Sequence, residues 1–276
     1  MKPEIKMGLS FADYCQIDAV NATKLLNMIG NTPAMARWLC DHDEETEALV
    51  RGHAAHSALL QPEVFATLYA KKPGFNRRTN AGKEEEAAWD EAHKGNVTVP
   101  EPDHELALIL RDKILKTPHM AELFGGAGQN EVTILWTDKE TGLDCKARVD
   151  RLTEYHGYQM LVDYKTTRST DDYHLMKTIA DLQYHARMAF YMDALNVVHA
   201  TEWRVVLAWA CTVAPYEMRL TEFLDNDMDE GRAVYRHCLT RYAECMKSGE
   251  WPSYAAGIEP LGLPRWAYKF TTPKEG

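Results

Sequence analysis

The chain has no Cys-x-x-Cys pair. Its six cysteines are Cys15, Cys40, Cys145, Cys211, Cys238 and Cys245, and the nearest two lie seven positions apart. That spacing excludes the close thiolate sets of zinc and iron–sulfur sites, and it reads as reduced, mostly buried thiols. No apolar run approaches the ~18–20 residues of a membrane span. The N-terminus, MKPEIKMGLSFADYCQ, lacks the apolar stretch of a secretory signal. A surplus of basic charge is also missing: 31 Lys and Arg face 41 Asp and Glu, for a net charge of −10. This excludes a protein that coats nucleic acid non-specifically. It leaves room for an enzyme with a local basic channel, because acidic metal ligands also lower the net charge. There is no internal repeat, low-complexity tract or clear linker. What is there is an ordinary globular composition, 45% hydrophobic and 26% charged over 276 residues, long enough to bury a core. The expectation is one soluble, cytoplasmic α/β domain over 1–276.

The first part, about 20–125, reads as helical. Asn21 caps a helix predicted over 22–29, before Gly30-Asn31. Pro33 restarts the chain into 34–40, and a longer helix over 44–60 is ended by Pro62. A charged, solvated helix is predicted over 82–93. Another, with apolar residues at helical spacing, runs over 103–115 to Pro118. Between these, 71–78 reads as a basic loop. From about 130 to 250 the pattern changes. Residues 131–136 alternate as a strand does, 138–142 form a turn, and strands over 143–152 and 159–165 complete an antiparallel meander. A single helix is predicted over 172–197, opened by a capping box of Ser169 and Asp172. A strand over 203–213, a short one near Met218, a long helix over 227–246 and a coil tail over 252–276 follow. The Glu4 end is read as disordered.

The sharpest chemical pattern is Asp150, a gap of twelve residues, then Asp163-Tyr164-Lys165. Strand residues two apart share a face, about 6.6 Å apart along the chain, so Asp163 and Lys165 project together. If the second strand pairs with the third, Asp150 reaches the same spot. Two carboxylates on adjacent strands suit a hard divalent cation. Acid-x-Lys triplets are common, and taken alone this one is more often a surface charge pair. The chain has two others, Glu4-Ile5-Lys6 and Asp144-Cys145-Lys146, the second just after a turn where Asp is ordinary. The Asp150 strand ahead and the helix behind favour the Asp163 triplet. Lys146 and Arg148 share the Asp150 face by alternation, either to meet DNA phosphates or as a solvated basic face.

The chain resembles the PD-(D/E)xK nucleases, most closely the RecE-like (exonuclease VIII type) phage and prophage exonucleases. The stretches that carry the likeness are Arg51-Gly52-His53-Ala54-Ala55-His56 through Glu63, Asn130-Glu131-Val132-Thr133-Ile134-Leu135-Trp136 and Cys145-Lys146-Ala147-Arg148-Val149-Asp150. Val162-Asp163-Tyr164-Lys165-Thr166-Thr167, Tyr184 to Tyr191, Arg241 to Cys245 and Gly249-Glu250-Trp251-Pro252 continue it in order. The resemblance implies a restriction-endonuclease-like core, a mixed central sheet flanked by helices. It implies a Mg2+ (or Mn2+) site of His56, Asp150, Asp163 and Tyr164, with Glu131 and Lys165 completing the catalytic set. His53 lies on another helix face, and Gly52 would let a ligand or backbone approach. The residues alone leave His56 as a helix-face histidine with a local hydrogen bond, and Glu131 as a solvent-facing strand residue. Arg77, Arg78 and Lys83 match a basic segment, and Thr166 falls among the DNA contacts. Where the family has Gln-x-x-x-Tyr, this chain has Arg187 and Tyr191, one helical turn apart. Gln183 lies a further turn back, about 6 Å along the axis, and cannot replace that glutamine. The function implied is 5′-to-3′ digestion of one strand at a double-stranded DNA end. The partners implied are a homo-oligomeric ring and a single-strand annealing protein of RecT type. A RecB-like single-strand or flap nuclease and a weakly catalytic DNA-end-binding protein are the alternatives.

Overall fold

The computed structural model describes residues 2–42, 46–199, 201–254 and 257–270. Its strands, in chain order, are β1 (Glu4–Lys6), β2 (Tyr69–Lys72), β3 (Val97–Pro100), β4 (Gly128–Thr137), β5 (Asp144–Tyr155), β6 (Tyr158–Thr167), β7 (Trp203–Cys211) and β8 (Met218–Glu222). Six form one mixed sheet in the order β1-β4-β5-β6-β7-β8. The predicted meander of β4, β5 and β6 is antiparallel. Short turns close it, helped by the left-handed backbone at Gly142 and Gly157. β6 and β7 are parallel. A parallel pair needs a crossover, which the helices Asp172–Asp181 and Tyr184–Val198 supply.

Both faces of the sheet are covered. Leu161, Val205, Leu207 and Trp209 join one core cluster with residues of the helices Ala22–Leu26, Tyr184–Val198 and Asp225–Ser248. Met160, Val162, Tyr164, Val206, Ala208 and Ala210 join another with residues of Glu47–Leu60, Glu101–Ile114 and Met120–Gly125. Burial on two sides explains why β7 is a continuous apolar run from Val205 to Cys211. The long helix Asp225–Ser248 crosses Tyr184–Val198 backbone against backbone: a Cβ on Gly231 would stand 2.4 Å from the His185 carbonyl oxygen. Arg236 ties the same helix to the β4–β5 turn through Asp138, at 2.5 Å.

Several sequence expectations change. The Glu4 end is an edge strand, with Glu4 opposite Leu135. Pro62 does end one helix, but it also opens Pro62–Leu68, where a proline at the first position loses no helical hydrogen bond. The start of the predicted basic loop is β2, parallel to β3. The helix predicted over 172–197 is two, separated where Gln183 turns left-handed at φ 54°. Its cap is Asp171, which accepts from the His174 amide at 2.9 Å, and not Ser169. The helix expected over 44–60 is Glu47–Leu60; residues 44–45, 255–256 and 271–276 of the expected elements lie outside the described residues. The cysteines are free thiols, four of them buried. Among the described residues no helix is long and apolar enough to cross a membrane.

Gly231→Ala should lower stability by about 1–3 kcal/mol in urea denaturation, because the added methyl overpacks the crossing. At an open helical site the same change would raise stability, so the sign reports the contact.

Candidate metal centre

The register of the sheet places three carboxylates in one row. β4 and β5 pair Asn130 with Arg151 and Val132 with Val149, which leaves Glu131 facing Asp150. The β5–β6 ladder ends at Arg151 opposite Val162, so Asp150 faces Asp163 one step beyond. Glu131 and Asp150 sit where the strands lose regularity. Glu131 has a left-handed backbone, φ 54°. Val149 and Leu152 enter the same core cluster though they are three apart, which strict alternation forbids. The irregularity lets the Asp150 carboxylate replace a ladder bond: its Oδ2 accepts from the Tyr164 amide at 2.8 Å.

The helix Glu47–Leu60 brings His56 over this row. His56 Nε2 lies 3.2 Å from Asp150 Oδ2, and Nδ1 lies 2.9 Å from the Gly52 carbonyl oxygen. A carbonyl only accepts, so Nδ1 carries a hydrogen, and Nε2 is the atom presented to Asp150 or to a cation. The local hydrogen bond and the place at the site are thus both present. Lys165 forms an ion pair with Asp163, reaches the Tyr164 carbonyl at 3.3 Å and sits 5.1 Å from the centre of the Tyr184 ring.

Burial pushes the Asp150 carboxyl up, but His56, Lys165 and the Tyr164 amide outweigh it and hold it down to about 2. Asp163 is only 2% exposed; burial, with the charge of Asp150, keeps its carboxyl above the usual range despite Lys165. Burial and then Asp150 also push Glu131 up, against Arg148 and His56. Burial disfavours the imidazolium of His56, yet the Asp150 carboxylate raises its pKa overall.

Among the described residues no three His, Cys, Asp or Glu side chains stand as a ready-made metal cage. Asp150 is paired with His56, Asp163 with Lys165 and Glu131 with Arg148. The donor set nonetheless fits a hard divalent cation: carboxylates, one imidazole and the Tyr164 carbonyl. Asp163 and Glu131 remain raised beside their cationic neighbours, so ammonium and guanidinium do not fully replace the lost water, and a divalent charge would. Asp150, Asp163 and His56 are the side chains that would hold it. Such an ion supplies Lewis acidity toward a phosphodiester and a bound water of lowered pKa.

The remaining candidates divide. Arg187 lies beside Tyr191, Asp163 and Tyr184, and its Nε is buried with no hydrogen-bond partner among the described residues. Gln183 is occupied elsewhere, donating to the Ala180 carbonyl at 2.6 Å. Thr166 is half-buried at the end of β6. Arg77 is exposed and paired with Glu86 at 2.5 Å, and Arg78 and Lys83 are exposed on the same segment. Two expectations are corrected and a third is narrowed to the backbone. Lys146 does not face DNA: it is 3% exposed, and its ammonium donates to the carbonyls of Tyr14 (2.8 Å), Cys15 (3.4 Å) and Ile17 (2.7 Å). Arg148 is buried too, between Glu131 at 2.5 Å and the Leu9 carbonyl at 2.8 Å. The Tyr164 side chain is a core residue, its ring 4.7 Å from that of His56, so only its backbone faces the site. Around Gly52 there is open space for a side chain, and its contribution is its carbonyl. His53 is exposed, its ring 6.2 Å from that of Phe11. Sequence reading missed the part of Leu9, Phe11 and Tyr14. The available signal was two charges, Lys146 and Arg148, in a strand destined for the middle of a sheet covered on both faces.

Comparison with known proteins adds the lineage. A solved structure from Eubacterium rectale, named "Putative exonuclease", superposes with a TM-score of 0.63, covering 96% of this chain and 99% of that one at 14% identity, a likeness of fold. The structure of SSO0001 covers 76% of this chain and 82% of its own at 13% identity, with a TM-score of 0.30, too low to imply a shared fold. No curated protein matches the chain. The family described as "PDDEXK-like domain of unknown function (DUF3799)" matches residues 25–262, a span that takes in His56, Glu131, Asp150, Asp163, Lys165 and Arg187. With a six-stranded mixed sheet flanked by helices and a match over most of its length, the chain belongs to this PDDEXK-like family.

Proposed function

We propose that the chain is a metal-dependent exonuclease of RecE-like type. It would hydrolyse one strand of a double-stranded DNA end from 5′ to 3′, leaving a 3′ single strand for recombination by annealing. The observation that carries this reading is the row of Glu131, Asp150 and Asp163 between His56 and Lys165. Membership of a PDDEXK-like family supports phosphodiester hydrolysis, and the name of the Eubacterium rectale neighbour supports an exonuclease.

Magnesium or manganese would sit among Asp150, Asp163 and His56, with Glu131 assisting. An ammonium only donates hydrogen bonds. Lys165 therefore orients the attacking water or stabilises charge on the phosphorane. Arg187 and Tyr191, beside Asp163, would receive the DNA phosphate. The basic side chains Arg77, Arg78 and Lys83 would meet the DNA end. A net charge of −10 gives weak general affinity for DNA, so processive digestion needs topological retention. A homo-oligomeric ring with a locally basic lumen supplies it, and a RecT-type annealing protein would receive the product.

Digestion of 5′- and 3′-labelled linear duplex in magnesium tests the reading directly. Asp163→Ala should abolish cleavage, and Asp144→Ala, whose carboxylate bonds Thr137 at 2.5 Å, should change it little. Equal loss in both would move the active triplet to Asp144. Preference for single strands or flaps over duplex ends would replace the proposal with a RecB-like nuclease. Light scattering at micromolar concentration should show a closed oligomer; monomer alone, with and without DNA, would contradict the ring. Arg187→Gln at fixed salt should raise KM for DNA and leave kcat equal or higher, because the arginine binds phosphate in the ground state. A kcat about 100-fold lower at unchanged KM would instead assign it roughly 2.7 kcal/mol of transition-state stabilisation.

A further inference from the structure

Arg148 binds the carboxylate row through Glu131 alone among its hydrogen-bonded and ion-paired acids. Its Nε donates to Glu131 Oε2 at 2.5 Å, and its Nη1 donates to the Leu9 carbonyl at 2.8 Å. The guanidinium carbon lies 6.0 Å from the centre of the Phe11 ring and 5.8 Å from that of Tyr14. The segment that supplies these contacts is stitched down on both sides. β1 pairs with β4 ahead of it. Behind it the Val20 amide donates to the Asp144 carbonyl at 2.9 Å, and the Lys146 amide to the Val20 carbonyl at 2.8 Å. Lys146, two residues before Arg148 on the same strand, fastens the middle through the Tyr14, Cys15 and Ile17 carbonyls.

Glu131 needs such a hold. Its left-handed backbone is unfavourable for a residue with a side chain. Its carboxylate faces that of Asp150 across the β4–β5 ladder, so a glutamate without a partner would turn away from the like charge. A further feature separates Arg148 from a residue kept for packing alone: its Nη2 is buried with no partner among the described residues, a cost that an apolar side chain would avoid.

We infer that Arg148 is a positioning residue of the metal centre, holding Glu131 toward Asp150, and that the N-terminal segment around Leu9, Phe11 and Tyr14 holds Arg148 in turn. This rests on the reading of the carboxylate row as a divalent-cation site. A fixed carboxylate loses less freedom when an ion binds, so the ion binds more tightly. Partners that orient a ligand in this way are commonly worth 10–100-fold in affinity.

Calorimetric titration with manganese alone tests the inference, on the full chain without DNA. The variants are Glu131→Gln, Arg148→Gln, Arg148→Lys and the double variant Arg148→Gln with Glu131→Gln, each checked for folding by circular dichroism. Arg148→Gln should weaken manganese binding about tenfold. The double variant should bind no more weakly than Glu131→Gln, because Arg148 acts only through Glu131. Arg148→Lys keeps the charge but one ammonium replaces the fork that spans Leu9 and Glu131, so it should recover part of the affinity. Unchanged affinity in Arg148→Gln, or losses that simply multiply in the double variant, would overturn the inference and leave the metal centre standing. If the unaltered protein takes up no manganese, the metal-centre reading itself fails and the inference falls with it. Should Arg148→Gln not fold, Arg148→Lys decides: affinity equal to that of the unaltered protein would overturn the inference.

Discussion

Drawing three carboxylates, Asp163 buried and Asp150 and Glu131 half-buried, into one row of a covered sheet is the constraint on which the rest of this structure depends. Each charge taken out of water needs a partner or gives up its ionisation. The sheet answers with His56 for Asp150, Lys165 for Asp163 and Arg148 for Glu131. These partners come from three places: the helix Glu47–Leu60, the same strand as Asp163, and the neighbouring strand. The N-terminal segment, remote in sequence, is drawn in because Arg148 and Lys146 themselves need acceptors.

The same constraint shapes the backbone. A regular ladder would keep every strand group paired and the side chains alternating. Here the ladder gives way at Glu131 and Asp150, and one carboxylate oxygen takes the amide that the strand releases. The surrounding frame tolerates the break because it is held elsewhere. β6 and β7 pair in parallel through nine residues, and core clusters lie on both faces. The Gly231 crossing locks the covering helices against each other. Local irregularity at the site is therefore compatible with a rigid scaffold around it.

Much of the fold was legible in the sequence because its signals are local. The change of period at 131 marks the meander, and strands are expected over 159–165 and 203–213, where β6 and β7 lie. Proline and glycine mark some of the ends, as at Pro33, Pro62 and Gly142. Two departures have a common cause. The edge strand at Glu4–Lys6 and the parallel pair of β2 and β3 are decided by contacts between distant segments. No window of the sequence contains both partners of those contacts.

The candidate site divides in the same way. By itself the sequence determined that Asp150 stands before Asp163 and Lys165, that these two share a strand face, and that an arginine lies one turn before Tyr191. Spacing along one element is enough for that, since strand and helix periods are fixed by backbone geometry. Only the tertiary structure decided what faces what. It turned Lys146 and Arg148, legible in the sequence only as phosphate contacts or a solvated basic face, into buried clamps on the N-terminal segment, and it brought His56 over Asp150 from almost a hundred residues away. The physical reason is that alternation gives a side chain its face, while burial of that face depends on which distant segment packs against it. The chemistry of Lys146 and Arg148 depends on that burial more than on their charge.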